Sequence, residues 1–157
     1  MRIADRLPRP FAARARRRAD ARAAATARDT EARTAASARE IAAHTAALAH
    51  EIEEYALLVA RSERVPERDA VVPASAPRAG RALKAARRDH AEFRAAWEGL
   101  DAARDAVRAR LGDPRTPAAA KDPAGRRFRP LEARHPDPAA LRRRDGAWQE
   151  RIGRLER

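Results

Sequence analysis

The first long segment of the chain holds two consecutive copies of one pattern, TARDTEARTAA at residues 26–36 and SAREIAAHTAA at residues 37–47. The hydroxyl, alanine, arginine and acidic positions correspond, and a third copy begins at Leu48. Eleven residues make three helical turns of about 3.67 residues each, so every position returns to the same side of a helix. The repeat therefore predicts one long, nearly straight α-helix.

This first helix is predicted over residues 11–64, between an irregular tail at residues 1–10 and the helix-breaking Pro66. In its C-terminal half, apolar positions alternate steps of four and three residues, which is typical of one buried helical face. These positions, which we expect to contact another helix, are Ile41, Thr45, Leu48, Ile52, Tyr55 and Val59. Toward the N-terminus the same stripe holds mainly alanine and threonine, which gain little energy from packing.

A second helix is predicted over residues 78–111, after an extended, proline-containing linker at residues 65–77. An apolar stripe on the second helix is expected to contact the apolar face of the first. Its contact positions are Leu83, Phe93, Trp97, Leu100, Val107 and Leu111. A glycine, an aspartate and a proline at residues 112–114 end the helix. We expect the second helix to fold back on the apolar half of the first as an antiparallel hairpin.

The C-terminal part is predicted as a coil followed by a short helix. Residues 112–136 contain five of the eleven prolines and several basic residues, which favours a Pro-rich basic coil. Asp137 followed by Pro138 is a good helix start, so residues 137–157 should form a helix with Trp148 and Ile152 on its contact face. The predicted fold is thus all-α and elongated, with a helical hairpin and a C-terminal helix.

The core is expected to be thin. Leucine, isoleucine, valine and phenylalanine make up only 22 of 157 residues, whereas alanine makes up 43. Alanine favours helix but buries little area, so the helices need a partner to complete their packing. The alternative is a chain that is disordered alone and folds on its partner.

Charge is abundant and segregated. There are 35 basic and 23 acidic residues, for a net charge of +12, and all but two of the basic residues are arginine. Residues 1–28 carry nine basic and two acidic groups, while residues 29–70 carry five and nine. The acidic stretch is therefore expected to contact basic stretches, either within the chain or between chains.

Three arginine clusters are candidates for binding a polyanion, because a guanidinium offers paired donors to phosphate oxygens and an aromatic ring can stack on a base. The residues concerned are Arg16, Arg17, Arg18, Arg126, Arg127, Phe128, Arg129, Arg142, Arg143 and Arg144. Because no motif of a sequence-specific nucleic-acid-binding fold accompanies these arginines, such binding would not depend on the nucleotide sequence. The alternative is a solvated basic surface in a protein encoded by a GC-rich genome.

No catalytic, cofactor or metal site is expected. His50 and Glu51 begin a zinc-protease-like pattern, but Glu54 stands where its second histidine belongs. Glu132 and His135 have the spacing of a di-iron motif without its second copy. Cysteine is absent, and no nucleophile–base pair or glycine-rich phosphate loop occurs, so no small-molecule substrate is expected.

The sequence thus favours a non-enzymatic, coiled-coil-like structural, assembly or adaptor protein that forms oligomers. Its expected partner is a protein, either itself or a larger complex. The alternative is a nucleic-acid-associated protein that contacts phosphates through its arginines. A membrane surface is not an expected partner, because an Ala/Thr face inserts weakly, and we expect a cytoplasmic location.

Overall fold

The computed structural model describes residues 9–67, 71–73 and 75–157, with side chains described from residue 13 onward. These ranges contain helices α1 (Arg9–Ser62), α2 (Ala76–Gly112), α3 (Ala118–Ala133) and α4 (Pro138–Glu156). No strand occurs within them, which confirms the all-α fold class. The described residues divide into two units, the first ending at residue 43 and the second beginning at residue 44, so the boundary lies inside α1.

The helix ends differ slightly from the predicted ones. Residues 1–8 of the predicted tail lie outside the described residues, and Arg9 and Pro10 already belong to α1. Residues 68–70 and 74 of the predicted linker also lie outside them, and α2 begins at Ala76 with a proline in its first turn. Proline is well placed there, because the first turn of a helix leaves backbone N–H groups unpaired in any case.

In the second unit, α2 packs against the C-terminal part of α1, and the contacts show that the two helices are antiparallel. Glu51 of α1 pairs with Arg110 of α2 at 2.6 Å, whereas Arg64, just beyond α1, pairs with Glu92 at 3.1 Å. Residue numbers rise along one helix as they fall along the other, so the chain reverses direction. The predicted antiparallel pairing of the first two helices is therefore correct.

The core of the second unit forms where α1 and α2 are joined by α3 and α4. Its fully buried side chains come from the apolar stripes of the first two helices and include Leu48, Ile52, Tyr55, Val59, Phe93, Leu100 and Val107. Ala120, Phe128, Leu141 and Trp148 extend this cluster from the last two helices. A buried residue of the Leu or Phe class contributes about 1.5–3 kcal/mol, so these few large side chains supply most of the apolar stabilisation.

Residues 112–136 are not the predicted coil, because α3 occupies Ala118–Ala133 despite Pro123 and Pro130 in its interior. Each proline removes a backbone donor and costs the helix about 3 kcal/mol. Ala120, Ala124 and Phe128 follow at steps of four and are all buried, which places one continuous face of α3 in the core. Tertiary packing therefore outweighs the local preference on which the prediction relied.

Helix α4 begins as the sequence indicates. The Asp137 side chain accepts a hydrogen bond from the Ala140 backbone N–H at 2.6 Å, and Pro138 occupies the first helical position. This cap satisfies one of the four unpaired N–H groups of the first turn. The helix then places Leu141, Trp148 and Leu155 against the rest of the unit.

Candidate interaction surfaces

The first unit presents an exposed helical face of small residues. Every side chain from residue 13 to residue 40 is exposed, and Ile41 is half-buried. One side of this stretch forms a shallow groove, which we call the Ala/Thr face; its residues are Ala23, Thr26, Ala27, Thr30, Glu31, Thr34, Ala35 and Ala38. It continues the sequence stripe that supplies Leu48 and Ile52 to the core of the second unit.

The threonines of the Ala/Thr face satisfy their own hydroxyl groups. Thr26, Thr30 and Thr34 each donate a hydrogen bond to the backbone carbonyl four residues earlier, at 2.8–2.9 Å. Their hydroxyl hydrogens are thereby used within the helix. The face consequently offers methyl groups for packing, and covering it would leave no threonine donor without a partner.

The arginine clusters lie in different environments. Arg16, Arg17 and Arg18 are all exposed on α1. Between α2 and α3, Arg126 and Arg129 line a cleft of about 680 Å³ together with Lys121, Arg108 and Glu132. Arg108 is held there by an ion pair with Glu132. We call this feature the basic cleft.

Three of the predicted polyanion contacts also contact other parts of the chain. Phe128 is only 3% exposed and packs on the Tyr55 ring at a centroid distance of 5.5 Å, so it cannot stack on a base. Arg127 lies 3.6 Å from the Glu53 carboxylate. Arg144 donates a hydrogen bond to the Ser62 carbonyl at 3.0 Å, which satisfies the C-terminal end of α1.

Arg142 and Arg143 remain exposed near the N-terminus of α4, where a helix dipole disfavours cations. A negative charge relieves this repulsion, and the Asp137 carboxylate already lies there. The Ala140 N–H hydrogen bond is the main cause that lowers the pKa of Asp137, and the charges of Arg143 and Arg142 lower it further. The chain itself thus supplies a negative charge at this helix end.

A polar cluster missed by sequence reasoning joins three segments of the second unit. The Tyr55 hydroxyl lies 2.9 Å from His135 Nδ1, and Arg104 Nη1 lies 3.1 Å from His135 Nε2. Burial is the main cause that raises the pKa of Tyr55, so this phenol stays neutral around pH 7. The cluster anchors the α3–α4 connection to α1 and α2. In the sequence, the apolar spacing indicated that Tyr55 is buried. Nothing indicated His135 as its partner, because the two residues are 80 positions apart.

A second polar cluster links α2 to α4. His90 is hydrogen-bonded: its Nε2 lies 2.8 Å from Asp145 Oδ1, while its ring stacks near Phe93 and Trp148. Burial acts to raise the pKa of Asp145, but the His90 hydrogen bond and the Arg94 charge outweigh it, so this pKa lies below its usual value. The carboxylate is therefore held ionised between the two helices.

The remaining predicted helix contacts differ in burial. Trp97 and Leu111 are half-buried and pack against the core, and Leu83 and Ile152 are half-buried. Thr45, which was predicted to contact another helix, is exposed. The reason is that α2 ends at Gly112, just beyond the Arg110 that pairs with Glu51, so α2 stops before it reaches the level of Thr45.

Neither possible metal motif gathers ligands in the structure. Glu132 is engaged by Arg108, and His135 by Tyr55, while the described residues contain no cluster of three or more metal-ligating side chains. Within the same residues, no helix has an apolar stretch long enough to cross a membrane. Comparisons with protein-family models, curated proteins and solved structures gave no match for this chain.

Proposed function

We propose that this chain is a non-enzymatic structural protein that assembles into an oligomer through the Ala/Thr face of α1. The observation that carries the proposal is the continuous exposure of residues 13–40 along one helix. Helices in proteins owe most of their stability to the packing of one face, and a helix exposed all round lacks that contribution. A partner that covers the Ala/Thr face supplies it.

The chemistry of the second unit supports a structural role. His90 and His135 lie between helices, each close to a carboxylate, and Tyr55 is fully buried. These titratable groups join elements of the fold rather than converge on an open pocket. Their arrangement fits a module that holds α1 in place.

The test is the molar mass of the full chain in solution, measured by light scattering over a wide concentration range. We expect a mass that rises from one chain to an oligomer. Ala27→Glu, which puts a charge on the Ala/Thr face, should raise the dissociation constant by about tenfold, equal to about 1.4 kcal/mol. Ala32→Glu is the matched control, because Ala32 is equally exposed but lies on the opposite side of α1.

A mass of one chain at every concentration, with full helicity by circular dichroism, would contradict the proposed oligomer. Equal weakening by Ala27→Glu and Ala32→Glu would contradict the choice of face. Both variants add the same charge to the same helix, so a general electrostatic effect would change the two dissociation constants equally. A difference between them therefore reports on the face.

The basic cleft favours a second candidate function, the binding of a polyanion such as single-stranded nucleic acid. Lys121, Arg126 and Arg129 bring three cations to one side of the cleft, and the apolar side chain of Leu111 forms part of its wall. Guanidinium groups pair well with phosphate oxygens. Phe128 also lines the cleft, but it is only 3% exposed and packs on Tyr55, so phosphate contacts rather than base stacking would carry this binding.

Filter binding of a single-stranded oligonucleotide at several salt concentrations tests this second candidate. Replacing Arg126 and Arg129 by alanine should weaken binding and reduce the slope of log affinity against log salt by about 1.4, since each phosphate contact on a single strand contributes about 0.7. Arg81→Ala, at an exposed position of α2, is the control. No retention at low salt, or an equal effect of the control, would rule out the cleft.

A further inference from the structure

One flank of the Ala/Thr face carries four charges in a regular order. Arg22 and Arg33 occupy the same position of consecutive eleven-residue repeats, and so do Asp29 and Glu40. At roughly 100° per residue, all four lie within about 40° of one another around the helix. We call these four residues the charged flank.

The charged flank is available to a partner. All four side chains are exposed, and the ion pair between Asp29 and Arg33, at 2.8 Å, leaves these side chains 63% and 81% exposed. Each of them can therefore accept a second opposite charge without breaking the first contact. A surface pair of this kind contributes little alone, but several in register add specificity.

When the helix is turned end to end, each charge of the flank takes the place of an opposite charge. Arg22 and Glu40 lie nine residues on either side of position 31, and Asp29 and Arg33 lie two residues on either side of it. Reversal about position 31 therefore exchanges a basic residue with an acidic one in both cases. A helix with this property is complementary to an antiparallel copy of itself.

The symmetry of a homodimer brings these charges together. A twofold axis between two antiparallel helices places each flank against the same flank of the second copy. With the axis at position 31, Arg22 of each chain meets Glu40 of the other, and Asp29 meets Arg33, which gives four favourable pairs. The small residues of the Ala/Thr face would then lie between the helices and permit an interaxial distance near the short end of the usual 8–10 Å.

We propose that residues 19–43 of α1 bind the same segment of a second copy of this chain, antiparallel, with position 31 at the twofold axis. This inference rests on the proposed oligomeric function and supplies its partner and register. One unfavourable contact accompanies it, because Glu31 lies at the other edge of the Ala/Thr face and meets its own copy near the axis. Glu31→Gln should therefore tighten the dimer.

Disulfide trapping tests the register directly, because the chain contains no cysteine. In the proposed dimer the two copies of residue 30 are offset by only about 3 Å along the axis, whereas the two copies of residue 23 are about 24 Å apart. Thr30→Cys should therefore form a disulfide-linked dimer under mild oxidation, and Ala23→Cys alone should not. A mixture of Ala23→Cys and Ala38→Cys chains should form the mixed dimer, since those positions lie at nearly the same level.

Charge reversal tests the flank. Arg22→Glu and Glu40→Arg should each weaken the dimer by about tenfold, because each replaces two attractive pairs by two repulsive ones. The double variant restores opposite charges and should return the dissociation constant to within about threefold of the original. Arg39→Glu is the control, with the same charge change on the opposite side of the helix.

The outcomes separate this inference from the function on which it rests. A chain that is monomeric at all concentrations would overturn both. A stable oligomer in which Ala23→Cys links to its own copy as readily as Thr30→Cys would leave the proposed function standing but would show a parallel arrangement and overturn the inference. Failure of the double charge reversal to restore binding would likewise overturn the proposed flank contact.

Discussion

Tyr55 links the apolar core to a long-range polar contact of the second unit. Its side chain is completely buried, and its hydroxyl lies 2.9 Å from His135 Nδ1. The hydroxyl thus ties the end of α3 to α1, while the ring packs on Phe128. A single residue of the apolar stripe therefore fixes the position of a connection that the spacing alone did not indicate.

Tyr55→Phe should lower the free energy of unfolding by about 1–2 kcal/mol, because it removes this hydrogen bond and leaves a half-buried imidazole nitrogen unpaired. Urea denaturation followed by circular dichroism measures the change. In a His135→Ala background the same substitution should cost much less, since its partner is already gone. Equal losses in both backgrounds would show that the hydroxyl acts independently of His135.

Asp145 makes the stability of the second unit depend on pH. Its pKa is lowered in the folded state, so its ionised form stabilises the fold above the unfolded pKa of about 3.9. This contribution is lost as the pH falls through the lower, folded pKa. Unfolding free energy should therefore drop more steeply below about pH 4 in the original chain than in Asp145→Asn.

Denaturant titrations between about pH 6 and pH 2.5 measure this difference. The exposed Asp122→Asn is the control, and its pH profile should parallel that of the original chain. Parallel profiles for Asp145→Asn and the original chain would show that the contact with His90 and Arg94 does not stabilise the fold.

At the scale of elements, α3 shows how packing overrides local preference. Its two interior prolines predicted coil, and nothing local contradicted that prediction. The spacing of Ala120, Ala124 and Phe128 favours a helix with one buried face. That spacing can be recognised only when the core against which the face packs is known. By contrast, α4 has a strong local signal in Asp137 and Pro138, and its start agrees with the sequence.

Pro123→Ala should stabilise the second unit by about 1–2 kcal/mol. Alanine restores the backbone donor and removes the ring clash, while Pro123 is exposed and loses no packing when replaced. The greater freedom of the unfolded chain opposes this gain by about 0.4–1 kcal/mol. Thermal unfolding measures the result, and an unchanged or lower midpoint would show that α3 is not strained by its proline.

The first two helices were predictable because their signals are long and periodic. Leu48, Ile52 and Tyr55 form one stripe over two turns, and the opposing stripe of α2 matches it. The site residues were harder to place, because burial depends on distant elements: Phe128 stands between arginines in sequence yet lies in the core. Arg126 and Arg129, its neighbours, line the basic cleft.

At the scale of the whole molecule, the chain's few large apolar residues are concentrated in one unit. All side chains of residues 13–40 are exposed, whereas the buried hydrophobic cluster extends from Leu48 to Trp148. The eleven-residue repeat therefore maintains an exposed surface rather than an internal core. This contrast in burial is the physical basis for the proposal that the first unit forms the oligomer contact.

The claim that the first unit binds a copy of itself is tested most directly by hydrogen exchange of the full chain at low and high protein concentration. Helical amides that gain a packed neighbour open less often, so their exchange slows. We predict that protection of residues 19–43 rises with concentration while that of the α2 and α4 core stays constant. Identical exchange of residues 19–43 at low concentration and at the highest attainable concentration would contradict the proposed self-association.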